Sequence, residues 1–129
     1  MKISATILAA GQSSRMEDDN KLLLPINEAP MISHVCKTVL AAGLDPVVVV
    51  TGFESDLVTQ AIPTVINEII YNSYWRSGMA SSIYEGLSAL PQNVAGNMIV
   101  LGDMPMISKG TLILLMDEFI AQSGQHIIY

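Results

Sequence analysis

Residues 3–11 read Ile-Ser-Ala-Thr-Ile-Leu-Ala-Ala-Gly, a short run of apolar and small side chains that ends in a glycine turn. A continuous run of this length is typical of a strand that is buried on both faces of a parallel sheet. Gly11 lacks a Cβ atom, so the backbone after the strand can turn sharply and approach a bound molecule closely. We therefore expect a buried first strand whose carboxyl end opens onto a ligand site.

Two cations follow this glycine, although the whole chain has only 6 Lys and Arg residues. Arg15 offers a planar fork to phosphate oxygens, and Lys21 offers a movable point charge. Exposed backbone amides of residues 12–15 can point at the same anionic oxygens. The alternative is an ordinary strand-to-helix turn with two solvated cations. The pairing of two scarce cations with one glycine turn favours a phosphate-binding loop.

Further apolar runs alternate with segments of helical spacing along the chain. The expected strands are residues 3–9, 46–51, 64–70, 97–101 and 125–129. The expected helices are residues 31–42, 55–62, 79–90 and 109–122. This alternation predicts an α/β fold, a three-layer α/β/α arrangement with a mostly parallel, doubly wound sheet.

Asp103 follows the run that ends at Leu101, and in such sheets ligands bind beyond the carboxyl ends of the strands. An aspartate oxygen suits Mg²⁺, which proteins often hold with one carboxylate and the phosphates of a substrate. The alternative is that Asp103 caps a turn ahead of Pro105. Because Asp103 would share a sheet edge with the cationic loop, we interpret it as a Mg²⁺ ligand.

Residues 72–82, Asn-Ser-Tyr-Trp-Arg-Ser-Gly-Met-Ala-Ser-Ser, lead into the third expected helix. Gly78, Ser81 and Ser82 place small residues at a helix N-terminus, where amides favour an anion or a polar edge of a ribose or base. N-capping by one of the serines, with Trp75 as a surface anchor, is an equally good interpretation. Both interpretations stay open at this point.

The composition restricts the classes of function. A net charge of -6 and a pI near 4.6 leave no broad basic surface for nucleic acid. No apolar run reaches the roughly 18 residues that a membrane span requires. Cys36 is the only cysteine, which excludes an internal disulfide and favours a reducing cytoplasm. With 129 residues, of which 50% are hydrophobic, the chain suits a single domain over residues 1–129.

Two common nucleotide-binding patterns are missing from the first loop. It has neither the Gly-x-x-x-x-Gly-Lys-Ser/Thr pattern of P-loop enzymes nor the Gly-x-Gly-x-x-Gly pattern of dinucleotide-binding oxidoreductases. Both classes are therefore disfavoured. The two cations would supply the charge that the P-loop lysine supplies elsewhere.

Three groups of residues, taken together, resemble one known family. They are residues 8–11 with 14–16 and 21–23, residues 75–82, and residues 101–105. The chain is similar to the MobA-like nucleotidyltransferases, and among them to the molybdenum cofactor cytidylyltransferases. The most specific part is Gly-Met-x-Ser-Ser at 78–82, followed by Gly-Asp-Met-Pro at 102–105. The resemblance implies a fold like that of the nucleotide-diphospho-sugar transferases.

The resemblance also implies a nucleoside triphosphate, with CTP favoured, bound between these motifs. The implied binding residues are Ala9, Ala10, Gly11, Ser14, Arg15 and Lys21 around the phosphates, and Asn72, Gly78, Met79, Ser81 and Ser82 near the base and ribose. Arg15, Lys21 and Asp103 would act in catalysis, Asp103 as the Mg²⁺ ligand. The terminal phosphate of molybdopterin, or of a similar acceptor, would attack the α-phosphate and release pyrophosphate.

Members of this family normally continue beyond the position of Tyr129. We therefore expect the domain to lack the C-terminal part that completes the acceptor pocket. Two alternatives remain: nucleotidyl transfer to a sugar phosphate or alcohol phosphate, and a non-catalytic nucleotide-binding or scaffold module. Such a module would expose an apolar sheet edge and pair with a second copy or another chain.

Overall fold

The computed structural model describes residues 2–11, 21–91, 93–103 and 108–121. In chain order its elements are β1 (Ile3–Ala9), β2 (Pro25–Ile26), β3 (Ala29–Pro30), α1 (Met31–Ala41), β4 (Val47–Thr51), α2 (Ser55–Ala61), β5 (Glu68–Tyr71), α3 (Met79–Ser88), β6 (Gly96–Leu101) and α4 (Lys109–Ala121). Two short 3-10 helices, Lys21–Leu23 and Trp75–Ser77, complete the list.

The predicted α/β fold is confirmed. The main sheet has the strand order β5-β4-β1-β6, and each neighbouring pair is parallel. The chain winds outward from β1 through β4 to β5 and then returns to the other side of β1 as β6. The sheet is therefore doubly wound, and its strand order reverses between β1 and β6.

Alternate residues of β1 supply the two faces of the sheet. Ala5 and Ile7 belong to the core cluster that α1, α2 and α4 cover, and both are fully buried. Thr6 faces α3 on the opposite side, where Gly86 lies against it. Burial of a Val or Ile side chain stabilises the fold by about 1.5–3 kcal/mol, so the five buried residues of β4, Val-Val-Val-Val-Thr, contribute strongly.

One predicted strand needs correction, one hairpin was not predicted, and one predicted strand lies outside the described residues. β5 begins at Glu68 rather than at residue 64, because Pro63 starts a turn in which Ile66 N donates to the Pro63 carbonyl at 3.2 Å. The sequence analysis also missed the hairpin of β2 and β3, which turns through Asn27 and Glu28 at positive φ. The expected strand at 125–129 lies outside the described residues.

Within the described ranges, no helix is both long enough and apolar enough to cross a membrane. Cys36 is buried in α1, and desolvation by burial raises the pKa of its thiol to about 12. Such a thiol stays protonated at neutral pH and is a poor nucleophile.

Candidate active site

A cavity of about 230 Å³ opens at the carboxyl ends of β1 and β6, where the strand order reverses. Doubly wound sheets bind their ligands at this point. The cavity is lined by Leu8, Ala9, Ala10, Gly11, Lys21, Leu22, Trp75, Gly78, Met79, Ser82, Leu101 and Asp103. The predicted site residues among these are Ala9, Ala10, Gly11, Lys21, Gly78, Met79, Ser82 and Asp103. Residues from three separate predicted clusters therefore meet in one cavity.

Lys21 and Asp103, two charged side chains that line the cavity, are positioned by apolar packing beneath them. After β6, Gly102 N donates to the Leu8 carbonyl at 2.9 Å, which extends the pairing of β6 with β1. A Cβ on Gly102 would lie 3.1 Å from the buried side chain of Leu22, so the two segments are in close contact. Lys21 precedes Leu22 and Asp103 follows Gly102. Their Nζ and Oδ2 atoms are consequently 3.9 Å apart, with side chains 42% and 46% exposed.

The loop after β4 fixes the end of β1 and one wall of the cavity. Phe53 N donates to the Ala10 carbonyl at 2.8 Å. A Cβ on Gly52 would lie 2.5 Å from Trp75 Cβ and 2.7 Å from the Ala10 oxygen, so only glycine fits between them. The rings of Phe53 and Trp75 are tilted by 55° with centroids 5.6 Å apart. The glycine therefore allows Trp75 to reach the cavity.

Sequence reasoning missed the contributions of Gly52 and Trp75. The sequence assigns Trp75 no binding role of its own and offers a surface anchor as one interpretation, whereas Trp75 is half-buried and lines the cavity. Gly52 directly follows a fully buried strand, as Gly11 nearly does. A glycine at the carboxyl end of a predicted parallel strand was thus the signal available in the sequence.

The segment that leads from Trp75 into α3 continues this wall. Gly78 has φ +110°, a conformation that favours glycine, and precedes the first residue of α3. Asn72 is 1% exposed, and its side-chain amide donates to Ser81 Oγ at 2.9 Å and to Ser82 Oγ at 3.0 Å. Ser82 lines the cavity, but Asn72 and Ser81 do not. The structure thus places Asn72 and Ser81 outside the lining of the cavity, although the resemblance implied that both lie near the base and ribose.

Ser14 and Arg15 lie outside the described residues. Their predicted contacts with phosphate stay predictions.

A divalent cation fits the donors of this cavity in one way. Among the described residues, no group of three or more His, Cys, Asp or Glu side chains is arranged to hold a metal ion. Among the residues that the structure describes, Asp103 is the single carboxylate that lines the cavity, and nearly half of its side chain is accessible. Mg²⁺ is often held by one carboxylate together with substrate phosphates. The residues present thus fit a cation that arrives with a phosphorylated ligand.

The chain is similar over most of its length to part of a longer curated protein. The Bifunctional protein GlmU of Leifsonia xyli subsp. xyli is 33% identical over 113 residues, which are 85% of this chain and 23% of that protein. The chain thus spans about a quarter of this curated relative.

Solved structures share the fold over most of this chain. A nucleotidyl transferase from Methanothermobacter thermautotrophicus has a TM-score of 0.82 and 31% identity, over 90% of this chain and 57% of that one. A CMP:2-keto-3-deoxy-manno-octonic acid synthetase complexed with CTP has a TM-score of 0.79 and 26% identity, over 95% and 49%. Rv0371c of Mycobacterium tuberculosis H37Rv, in complex with manganese, has a TM-score of 0.76 and 22% identity, over 94% and 61%.

The family itself is shown by a match along nearly the whole sequence. The MobA-like NTP transferase domain matches residues 5–129, which include every residue that lines the cavity. This chain belongs to the MobA-like NTP transferase family.

Proposed function

We propose that this chain binds a nucleoside triphosphate and transfers its nucleoside monophosphate to a phosphorylated acceptor, with release of pyrophosphate. The observation that carries the proposal is the approach of Lys21 Nζ to Asp103 Oδ2, at 3.9 Å, beside the cavity where the strand order reverses. A cation for phosphate oxygens and a carboxylate for a divalent cation are the charges that such a transfer needs. Membership of an NTP transferase family supports the same conclusion.

Asp103 would hold Mg²⁺ together with phosphate oxygens of the nucleotide. When bound, this cation neutralises negative charge on the phosphoryl group that is transferred. Lys21 acts on the same charge from the protein side, and we assign Arg15 a similar role. The manganese complex of Rv0371c supports a divalent cation in this fold.

The chemistry we propose is a direct in-line displacement. A phosphate oxygen of the acceptor forms a new bond to the α-phosphorus, the bond from the α-phosphorus to the bridging oxygen breaks, and pyrophosphate leaves with the electron pair. The reaction needs no covalent intermediate on the protein, because positioning and charge neutralisation lower the barrier. The small residues 9–11 let the triphosphate approach the backbone closely.

CTP is the nucleotide we favour. The Gly-Met-x-Ser-Ser motif at residues 78–82 is similar to that of molybdenum cofactor cytidylyltransferases, and a solved relative with 26% identity is complexed with CTP. In this proposal the base and ribose lie against the wall that contains Gly78, Met79 and Ser82. The phosphates extend towards Lys21 and Asp103.

Molybdopterin is the acceptor that the motifs favour, and a sugar or alcohol phosphate is the second candidate. A panel of acceptors incubated with CTP and Mg²⁺ distinguishes the two, with pyrophosphate release as the measured quantity.

The first experiment is calorimetric titration of the full chain with CTP, GTP and ATP, each with and without Mg²⁺. We expect binding that requires Mg²⁺ and is tightest for CTP. Tighter binding of GTP or ATP would overturn the assignment of the base and keep nucleotidyl transfer. Absence of binding for all three nucleotides would overturn the proposed function and favour a scaffold module.

A further inference from the structure

Asn72 is a buried side chain near the cavity whose amide is hydrogen-bonded at both its oxygen and its nitrogen. It follows β5, and its backbone N donates to the Thr51 carbonyl at 2.7 Å. Its Oδ1 accepts from Tyr74 N at 2.9 Å, and both protons of its Nδ2 are used by Ser81 and Ser82. A flipped amide would place Nδ2 against the Tyr74 N–H, so that two donors would face each other. The orientation of the amide is therefore fixed by its surroundings.

This orientation acts differently on the two serines. Each hydroxyl accepts a hydrogen bond from Asn72 Nδ2 and has one proton of its own with which to donate. Ser81 Oγ donates to a backbone carbonyl, either that of Gly78 at 2.8 Å or that of Tyr74 at 3.1 Å. Ser82 is 4% exposed and lines the cavity, and its hydroxyl proton has no acceptor in the described part of the chain. Ser82 thus keeps a buried, unused donor at the cavity wall.

We propose that Asn72 is a positioning residue that makes Ser82 a hydrogen-bond donor to the nucleoside part of the substrate. The inference rests on the proposed function and specifies the chemistry of the same site. The recognised group is an oxygen acceptor of the base or ribose, because the Ser82 hydroxyl already accepts from Asn72 and has its own proton left to donate to a molecule in the cavity. Asn72 acts through Ser82 and touches no substrate atom.

Three variants of the full chain test this inference, with CTP and Mg²⁺ as the probe. Ser82→Ala removes the donor. Asn72→Asp keeps the size of the side chain and the acceptor for Tyr74 N. Its second oxygen replaces Nδ2 and accepts a hydrogen bond from the Ser82 hydroxyl. Ser82 can then no longer donate to the ligand. The third variant combines the two changes. Ser88→Ala is the matched control, because this serine lies further along α3 and its hydroxyl donates to the Tyr84 carbonyl.

We expect each single variant to weaken CTP binding about 10-fold, and the double variant to bind no more weakly than either single variant. KM for CTP should rise more than kcat falls, since the contact is made with the ground state as well as the transition state. Ser88→Ala should bind CTP as the unchanged chain does. Additive losses in the double variant, or normal binding by Asn72→Asp, would overturn the role of Asn72.

The failure of this inference differs from failure of the proposed function. If the unchanged chain binds none of the three nucleotides, both are wrong. If it binds CTP and the variants bind equally well, only the role of Asn72 and Ser82 is wrong. Should Asn72→Asp fail to fold, as judged by its thermal transition, Ser82→Ala and Ser81→Ala decide. A loss of affinity no larger for Ser82→Ala than for Ser81→Ala then overturns the donor at Ser82.

Discussion

The two walls of the cavity are built by different physical means. The wall at β5 and α3, which we call the amide wall (residues 72–82), is centred on a buried side-chain amide with all its hydrogen bonds made. The wall at β1 and β6, which we call the charged wall (residues 9–11, 21 and 101–103), has two half-exposed charges 3.9 Å apart. An exposed ion pair contributes about 0–1 kcal/mol. The amide wall is therefore formed without a ligand. On the charged wall, Lys21 can leave Asp103 for a phosphate and Asp103 can bind a metal ion, because little free energy is lost when their ion pair breaks.

The largest effect should come from Asp103→Asn on the charged wall. We expect turnover to fall at least about 100-fold, because loss of the metal ligand removes charge neutralisation worth several kcal/mol in the transition state. The thermal transition should not change, since the ion pair of this carboxylate with Lys21 is half-exposed and contributes little to stability. Pyrophosphate release measured over a range of Mg²⁺ concentrations gives the result.

Asp117→Asn is the matched control for this prediction. Asp117 is exposed on α4 and does not line the cavity, so its removal should leave turnover unchanged. Undiminished turnover of Asp103→Asn would sink the metal assignment. A strong loss of stability in Asp103→Asn would show that the charged wall stabilises the fold, which contradicts a weak, half-exposed ion pair.

The next effect concerns Gly52, which lies where the two walls meet. In Gly52→Ala the new Cβ would clash with Trp75 Cβ at 2.5 Å and with the Ala10 oxygen at 2.7 Å. Overpacking of this kind costs about 1–3 kcal/mol in the free energy of unfolding. Urea denaturation measures the loss. The fluorescence of the chain's 1 Trp should report a changed environment at the cavity.

Gly110→Ala is the corresponding control in α4. Its new Cβ would lie 3.9 Å from Ser108 Oγ, which is an ordinary contact, and alanine favours a helix over glycine by about 1 kcal/mol. This variant should be as stable as the unchanged chain or more stable. Equal behaviour of the two variants would mean that the contact between Gly52 and Trp75 does not hold the walls together.

The sequence predicted most of the fold because its signals are local. β1 has the predicted bounds, and each of the four helices begins at the predicted residue, since continuous apolar strands and amphipathic spacing need no knowledge of distant contacts. The hairpin at 25–30 was missed because Pro25 and Pro30 argue against strands and because Asn27 and Glu28 adopt positive φ without the glycine typical of such turns.

The site was predictable only in part, for a similar reason. Gly11, Lys21 and Asp103 were expected at one sheet edge because parallel strands end together, and the structure brings them to one cavity. The position of Asn72 depends on which loop atoms surround its amide. No pattern in the sequence distinguishes a polar loop residue that binds a ligand from one that is buried by its neighbours.

A smaller effect is expected from Lys21→Ala. Binding of CTP should weaken about 10-fold and depend less on salt concentration, because one phosphate contact is lost and surface charges are screened. The free energy of unfolding should change by less than about 0.5 kcal/mol. Lys37→Ala, at an exposed position of α1, is the control for general electrostatic attraction. An equal loss in both variants would contradict a local phosphate site.

The smallest effect is expected on the amide wall, from Ser81→Ala. This change removes one acceptor from Asn72 and one bond to a backbone carbonyl, at a position that water can reach. We expect the free energy of unfolding to fall by about 0.5–1 kcal/mol, because water replaces part of what is lost. Urea denaturation measures this loss, and CTP affinity should fall less than in Ser82→Ala. A larger loss of CTP affinity in Ser81→Ala than in Lys21→Ala would contradict a preformed amide wall.

A preformed wall tolerates the loss of the hydrogen bond to Ser81, because the bonds of Asn72 to Ser82 and to Tyr74 N still hold its amide in place.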